Sequence, residues 1–330
     1  MATTKSCYSW PAMLAGVLSE SSRVVSDHSR HFLALSVLFL LPLSSVLIAS
    51  PSLVPLLIHR RQSLHPQSLL REAAPSSSSP DLTRALILAA AAATLFLPIA
   101  SAAVAAVTRS VNHGFYGRPV KILPNLRSLH IPVLHLLATL LCGFLIFSAI
   151  VALIVSLCLL VLFVLSILDV ESGSVPPYSF AAGVAAITIA RFQLEWCLAG
   201  VVSVMESSWG FAPLKRSAEL IDGMRLAAIC LWVFFGAGAG FTLWGFGLWE
   251  VPSGGNWYGV IPVVGKTVLG SALMALLLLY IFVTHAALYL YCKAVHGELL
   301  GEIVEEFASE YVTLPFDDNR VPHVVSVILR

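Results

Sequence analysis

The chain has 330 residues, 58% hydrophobic and only 11% charged. A soluble domain carries roughly 25% charged residues, so this composition excludes a soluble globule and points to an integral membrane protein. Lys and Arg total 19 against 18 Asp and Glu, leaving +1; no overall basic field draws nucleic acid and no acidic one draws cations.

In chain order, residues 11–30 are expected to form an amphipathic helix, with Pro11 in its first turn and Leu14, Val17, Leu18, Val24 and Val25 on one side. Such a helix lies along a membrane face ahead of the first span. Stretches free of Asp, Glu, Lys and Arg then run over 32–58, 85–108, 131–168, 226–249 and 267–292, and a sixth apolar stretch, 178–205, is interrupted only by Arg191 and Glu195. Each exceeds the roughly 18 residues needed to cross a bilayer. The expected fold is all-α, a polytopic membrane domain of six helices over 32–292. It is flanked by a cytosolic amphipathic segment (1–31) and by a cytosolic acidic helix and tail (293–330). The first span is too long for a cleaved leader and is expected to serve as the targeting signal. No lipidation or retention signal is expected from Ala2 or from Ile328, Leu329 and Arg330.

The run 131–168 is long for one helix and short for a hairpin of two, and loop charges arbitrate. With one helix there, thirteen Lys and Arg fall inside and five outside; with a hairpin, eight fall inside and ten outside. Positive charge prefers the cytosolic side, so six spans with both termini cytosolic are expected. The segment 60–84 then lies outside despite Arg60, Arg61, Arg71 and Arg84, and it holds the flexible tract Pro75 to Pro80. Pro42, Pro51 and Pro55 make a broken or re-entrant first segment the main alternative. Tyr178, Trp249, Trp257 and Tyr258 fall at the expected outer boundary, where amphipathic rings sit.

Arg191 and Glu195 are the charges that ask most for an explanation. With Thr188 they share one helix face, and Arg191 falls near the middle of the fourth span. An arginine at that depth costs about 2.5–3.5 kcal/mol on insertion scales. Glu195, one turn on, neutralises it. A structural pair buried between helices is one reading; the other is a substrate or ion path lined by Arg191, Gln193 and Glu195. His285, in the sixth span at a similar depth, is a candidate polar partner, although a lone helical histidine is more often a neutral hydrogen-bonding residue. His135 takes the same discount.

Between the fourth and fifth spans, Glu206, Gly210, Lys215, Arg216, Ser217 and Gly223 mark a cytosolic elbow. Glu206 leaves the span, Gly210 permits a turn, and Pro213 starts a short interfacial helix over 212–223. Lys215 and Arg216 are expected to face phosphate headgroups. Gly236, Gly238 and Gly240 give the fifth span a small-residue face for close helix approach. Gly265, Lys266 and Thr267 imitate the end of a phosphate-binding loop, but Gly259 stands one residue too far upstream.

Residues 294–312 are expected to form an amphipathic helix, with Val295, Leu299, Ile303, Phe307 and Tyr311 backed by Glu298, Glu302, Glu305, Glu306 and Glu310. Its acidic face is repelled by an anionic leaflet. It either packs on the basic residues Lys215, Arg216 and Arg225 or docks a cytosolic protein. Five of six cysteines (Cys142, Cys158, Cys197, Cys230, Cys292) lie in expected spans, and none of the four asparagines is in a glycosylation sequon. That cysteine usage is packing, with no disulfide framework or zinc spacing.

Three stretches resemble a plant family of multi-span membrane proteins of uncharacterised function. They are HSRHFLALSVLFLLPLS (His28 to Ser44), VVSVMESSWGFAPLKRSAELIDG (Val201 to Gly223) and LPFDDNRVPHVVSV (Leu314 to Val327). In the second, Glu206, Gly210, Arg216, Ser217, Leu220 and Gly223 carry the pattern and Pro213 departs from it. That box is also similar, less closely, to one in bacterial membrane domains attached to glycerophosphodiester phosphodiesterases, where the membrane part is not catalytic. The resemblance implies a six-helix membrane protein of a plant and no particular reaction.

No nucleophile elbow, metalloenzyme helix or metal-ligand cluster is legible, and no catalytic, cofactor-binding or metal-binding residue is expected. The function expected is that of a non-enzymatic endomembrane or plasma-membrane organiser or adaptor. Its partners would be the lipid bilayer and a cytosolic protein bound through 294–312, with no nucleic acid. The alternative is a transporter or channel using Arg191, Glu195 and His285, with a lipid-modifying enzyme third.

Overall fold

The computed structural model of the protein describes residues 10–50, 79–116, 128–167, 177–247, 260–299, 301, 311–313 and 324–326. Trp10–Asp27 forms α1; Ser29–Ser50 forms α2; Ser79–Phe115 forms α3; His130–Ile167 forms α4. Pro177–Glu195 forms α5, Ala199–Met205 α6, Ala212–Ile221 α7, Arg225–Gly247 α8 and Val260–Val295 α9. Two three-residue strands, β1 (Tyr311–Thr313) and β2 (Val324–Ser326), pair antiparallel with Tyr311 opposite Ser326. Among the described residues six helical stretches are long and apolar enough to span a membrane: Ser29–Ser50, Thr94–Phe115, His130–Val161, Ala182–Met205, Arg225–Phe246 and Val264–Val295. The protein is an all-α, six-span membrane protein.

Local chemistry explains several boundaries. Pro42 has no N–H, and its ring crowds the carbonyl one turn back, yet α2 continues past it. The accommodation is a π-helical turn at Ser36–Leu40, closed by the Leu41 N–H donating to the Ser36 carbonyl. Pro80 sits in the first turn of α3, where its missing N–H costs nothing. The described part of the run 131–168, through Ile167, is one unbroken helix, α4.

The buried apolar residues gather where antiparallel neighbours meet at one end of the bundle. They come from the start of α2 (Phe32, Leu35), the last turns of α3 (Ala103 to Val111), α6 (Val201, Val202), the start of α8 (Ala227, Leu231) and the later turns of α9 (Leu279 to Cys292). Polar side chains tie the same elements. His31 Nε2 lies 2.9 Å from Ser110 Oγ, joining α2 to α3, and Ser44 Oγ donates to the Ser271 carbonyl at 2.8 Å, joining α2 to α9. In lipid such bonds hold helices that have no hydrophobic drive to associate. Elsewhere α4 exposes Leu140, Leu141, Phe144, Leu153 and Phe163, a surface for acyl chains rather than water.

Several expected elements differ in the structure. The N-terminal helix ends at Asp27 instead of residue 30, and its apolar side is spent on the protein itself. Val17 and Val24 are fully buried, and a Cβ on Gly16 would stand 3.1 Å from the Tyr291 hydroxyl. The span over 178–205 is two helices, separated by a turn at Trp196–Leu198. The acidic helix expected over 294–312 is interrupted at once: α9 ends at Val295, and Gly297 adopts φ +76°, a left-handed stop suited to glycine. At its far end Tyr311 and Val312 belong to β1. Residues 302–310 between them, the segment 51–78 and the aromatic residues Trp249, Trp257 and Tyr258 lie outside the described residues.

Candidate functional site

The elbow between α6 and α8 is built by a sequence of unusual backbone turns. α6 ends at Met205; Ser207 takes φ +50° and Gly210 φ +76°, and α7 begins at Ala212 with Pro213 in its first turn. Gly223, at φ +106°, then lets the chain turn into α8. α7 buries Pro213, Leu214, Ser217, Leu220 and Ile221 against the bundle. The helix itself stops at Ile221, two residues short of the expected end.

Ser217 is placed on that inner face against the break in the fourth span. Its hydroxyl donates to the Glu195 carbonyl at 2.6 Å and accepts the Leu198 N–H at 3.2 Å. A helix interrupted in an apolar setting leaves backbone groups without partners, and each is costly there. One hydroxyl, both donor and acceptor, satisfies two of them.

Arg216, the neighbouring residue on α7, points to the opposite task. Its Nε lies 3.6 Å from Glu206 Oε1, one terminal nitrogen is hydrogen-bonded to Glu298, and the other lies 3.9 Å from Glu219. The expectation that Arg216 faces lipid phosphate is therefore corrected: its fork is committed to carboxylates of the protein. Partial burial works against its charge, but Glu298 and Glu206 outweigh that and hold the guanidinium pKa above its ordinary value. Glu206 also accepts the hydroxyl of Tyr289 at 3.1 Å, and the ammonium of Lys293 lies 5.4 Å from the centre of the Tyr289 ring. The elbow, the last turns of α9 and the residue following Gly297 are thereby held together. Lys215, by contrast, is exposed and lies 3.8 Å from Glu219.

The intramembrane pair forms, but not where it was expected. Arg191 Nε donates to Glu195 Oε1 at 3.1 Å, while the Arg191 side chain remains 75% exposed. The expected pair buried between helices is thus corrected to one that is half-exposed: the Glu195 side chain is largely covered, while Arg191 stands out from α5. His285 is not brought to it; its Nδ1 lies 2.6 Å from the Ile281 carbonyl of its own helix. Thr188 likewise bonds back within α5, to the Val184 carbonyl at 2.8 Å, and Thr139 to that of His135 at 2.8 Å. Gly265, Lys266 and Thr267 lie in the first turns of the continuous α9, so they form no loop around a phosphate. Of Gly236, Gly238 and Gly240 in α8, Gly238 alone meets a neighbour, Leu277 at 3.1 Å, while Gly236 and Gly240 face open space. The close approach falls instead at Gly270, where a Cβ would stand 2.8 Å from that of Phe246. Among the described residues no group of three His, Cys, Asp or Glu is arranged to hold a metal ion.

Residues 12–323 match the family described as a domain of unknown function (DUF8558), and the chain belongs to that family. Comparison with curated proteins and with solved structures returned no match.

Proposed function

We propose that this protein is a non-enzymatic organiser or adaptor of a plant endomembrane or plasma membrane, with both termini and the elbow in the cytosol. The observation that carries the proposal is the Arg216 junction. Glu206, Arg216, Glu298 and Tyr289 join the elbow to the end of the last span and to the start of the acidic tail. The polar chemistry is thus spent on fixing one end of the bundle as a surface, and α1 is packed on that same end. A path for solute would need polar groups converging inside the bundle. Arg191 lies on its outside and His285 is bonded to its own helix, which weighs against the transporter alternative.

The tail beyond Glu298, with Glu302, Glu305, Glu306 and Glu310, is the proposed contact for a cytosolic protein of basic character. Full-length protein in nanodiscs tests this by affinity capture from a membrane-free extract. A basic protein held by the wild type and lost when those four glutamates are changed to glutamine is the expected result. Equal capture by both forms would rule the tail out as the contact.

A further inference from the structure

The tip of the elbow presents two large apolar side chains that no helix of the bundle covers: Trp209 is 67% exposed and Phe211 58%. Neither belongs to a span, so the lipid tails that solvate the exposed leucines of α4 do not account for them by helix position alone. Their exposure is also held by structure. Ser207 and Gly210 fix the turn with positive φ, Ser203 Oγ donates to the Ser208 carbonyl at 3.0 Å, and the Lys215 N–H donates to the Phe211 carbonyl at 3.1 Å. α7 meanwhile lies directly against the outer helix α4: Leu214 Cδ2 is 3.7 Å from the position of a Cβ on Gly143. The residues flanking that glycine, Leu140, Leu141, Phe144 and Leu145, all expose their side chains. The elbow is therefore continuous with the lipid-facing surface of the bundle. One turn beyond Phe211 stands Lys215, exposed and only loosely paired with Glu219 at 3.8 Å.

We propose that the elbow is an interfacial anchor, with Trp209 and Phe211 inserted at the boundary of headgroups and acyl chains and the Lys215 ammonium meeting lipid phosphate. The inference rests on the reading of the elbow as a contact surface and names the membrane leaflet as its partner. An indole and a phenyl ring favour that boundary, where an apolar body enters the chains and the indole N–H stays hydrated. Lysine suits the adjacent layer because its stem lies along apolar surface while its charge reaches the phosphates. Arg216 cannot share this role, being held inward by Glu206 and Glu298.

Full-length protein in nanodiscs provides the test. Tryptophan emission is compared in lipids with and without bromine on the upper acyl chain, for the wild type and for Trp209→Phe, so that the difference isolates Trp209 among seven tryptophans. Brominated lipid is expected to remove about half or more of the Trp209 emission, with little effect of aqueous iodide, as an interfacial depth requires. A second variant, Phe211→Trp, should add emission quenched by the same lipids, and it reads the same depth if Trp209→Phe does not fold. Quenching by iodide and not by brominated lipid would overturn the proposal in favour of a water-facing loop. Protection from both quenchers would overturn it in favour of a protein partner or a second copy of this chain. Either outcome leaves capture by the acidic tail to be judged by its own experiment, so failure of the anchor and failure of the adaptor reading are distinct.

Discussion

Ser217 and Glu195 are joined across the break in the fourth span: the serine hydroxyl donates to the glutamate's backbone carbonyl at 2.6 Å and accepts the Leu198 N–H at 3.2 Å. The residue that stops the span is thus 22 positions away in sequence, on the inner face of the elbow helix. Ser217→Ala removes both bonds and leaves a part-buried carbonyl and a buried N–H behind. The expected loss is about 1–3 kcal/mol, read as a lowered midpoint of thermal or denaturant unfolding in detergent. The exposed Ser26, bonded only to the Arg23 carbonyl, serves as the control for Ser→Ala. A loss at Ser217 no larger than at Ser26 would mean the hydroxyl is not holding the break.

Arg216 engages Glu206 and Glu298 from different nitrogens of one planar fork. A lysine offers a single ammonium and cannot hold that geometry. Arg216→Lys is therefore expected to behave much like Arg216→Gln. A double-mutant cycle between Arg216 and Glu298 should give a coupling of about 1 kcal/mol, a figure held down by the partial exposure of both groups. Full retention of stability in the lysine variant would show that charge alone suffices.

Glycines in the last two spans separate packing from coincidence. A methyl at Gly270 would meet the β-carbon of Phe246, which cannot swing away, at 2.8 Å. Gly270→Ala should cost about 1–3 kcal/mol as an overpacked contact. Gly236→Ala and Gly240→Ala, which meet nothing within 4 Å, should be neutral or mildly stabilising through helix propensity. The reverse ranking of folded yield and melting temperature would mean that α8 and α9 do not meet at Phe246.

Much of the fold was legible in composition, because an uncharged apolar run of sufficient length has few alternatives to a spanning helix. The single helix at 130–167 and the formation of the Arg191–Glu195 bond followed from charge counting and from four-residue spacing. The rest depended on partners distant in sequence. Arg216 carried two expectations, a headgroup ligand and a seat for the acidic segment after the last span; the bond to Glu298, 82 positions away, follows the second, while the part played by Glu206 was not legible. The small-residue pattern at Gly236 to Gly240 drew attention from Gly270, whose neighbour is set by tertiary packing. Ser217 was legible as a member of the elbow, but nothing in its local sequence indicates which backbone groups it would satisfy.

Packing of α1 on the later turns of α9, through Gly16 and Tyr291, places α1 and the end of the last span at the same end of the bundle. Tags at the two termini should therefore report the same side of the membrane by protease protection. Tags on opposite sides would require an odd number of spans.

The transport alternative meets its most direct test in flux. Purified protein is reconstituted into liposomes and challenged with a panel of ions and small solutes, alongside Glu195→Gln. An organiser predicts flux no greater than that of empty liposomes in both forms. Flux that the wild type supports and Glu195→Gln abolishes would contradict the organiser reading and make the Arg191–Glu195 pair part of a pathway.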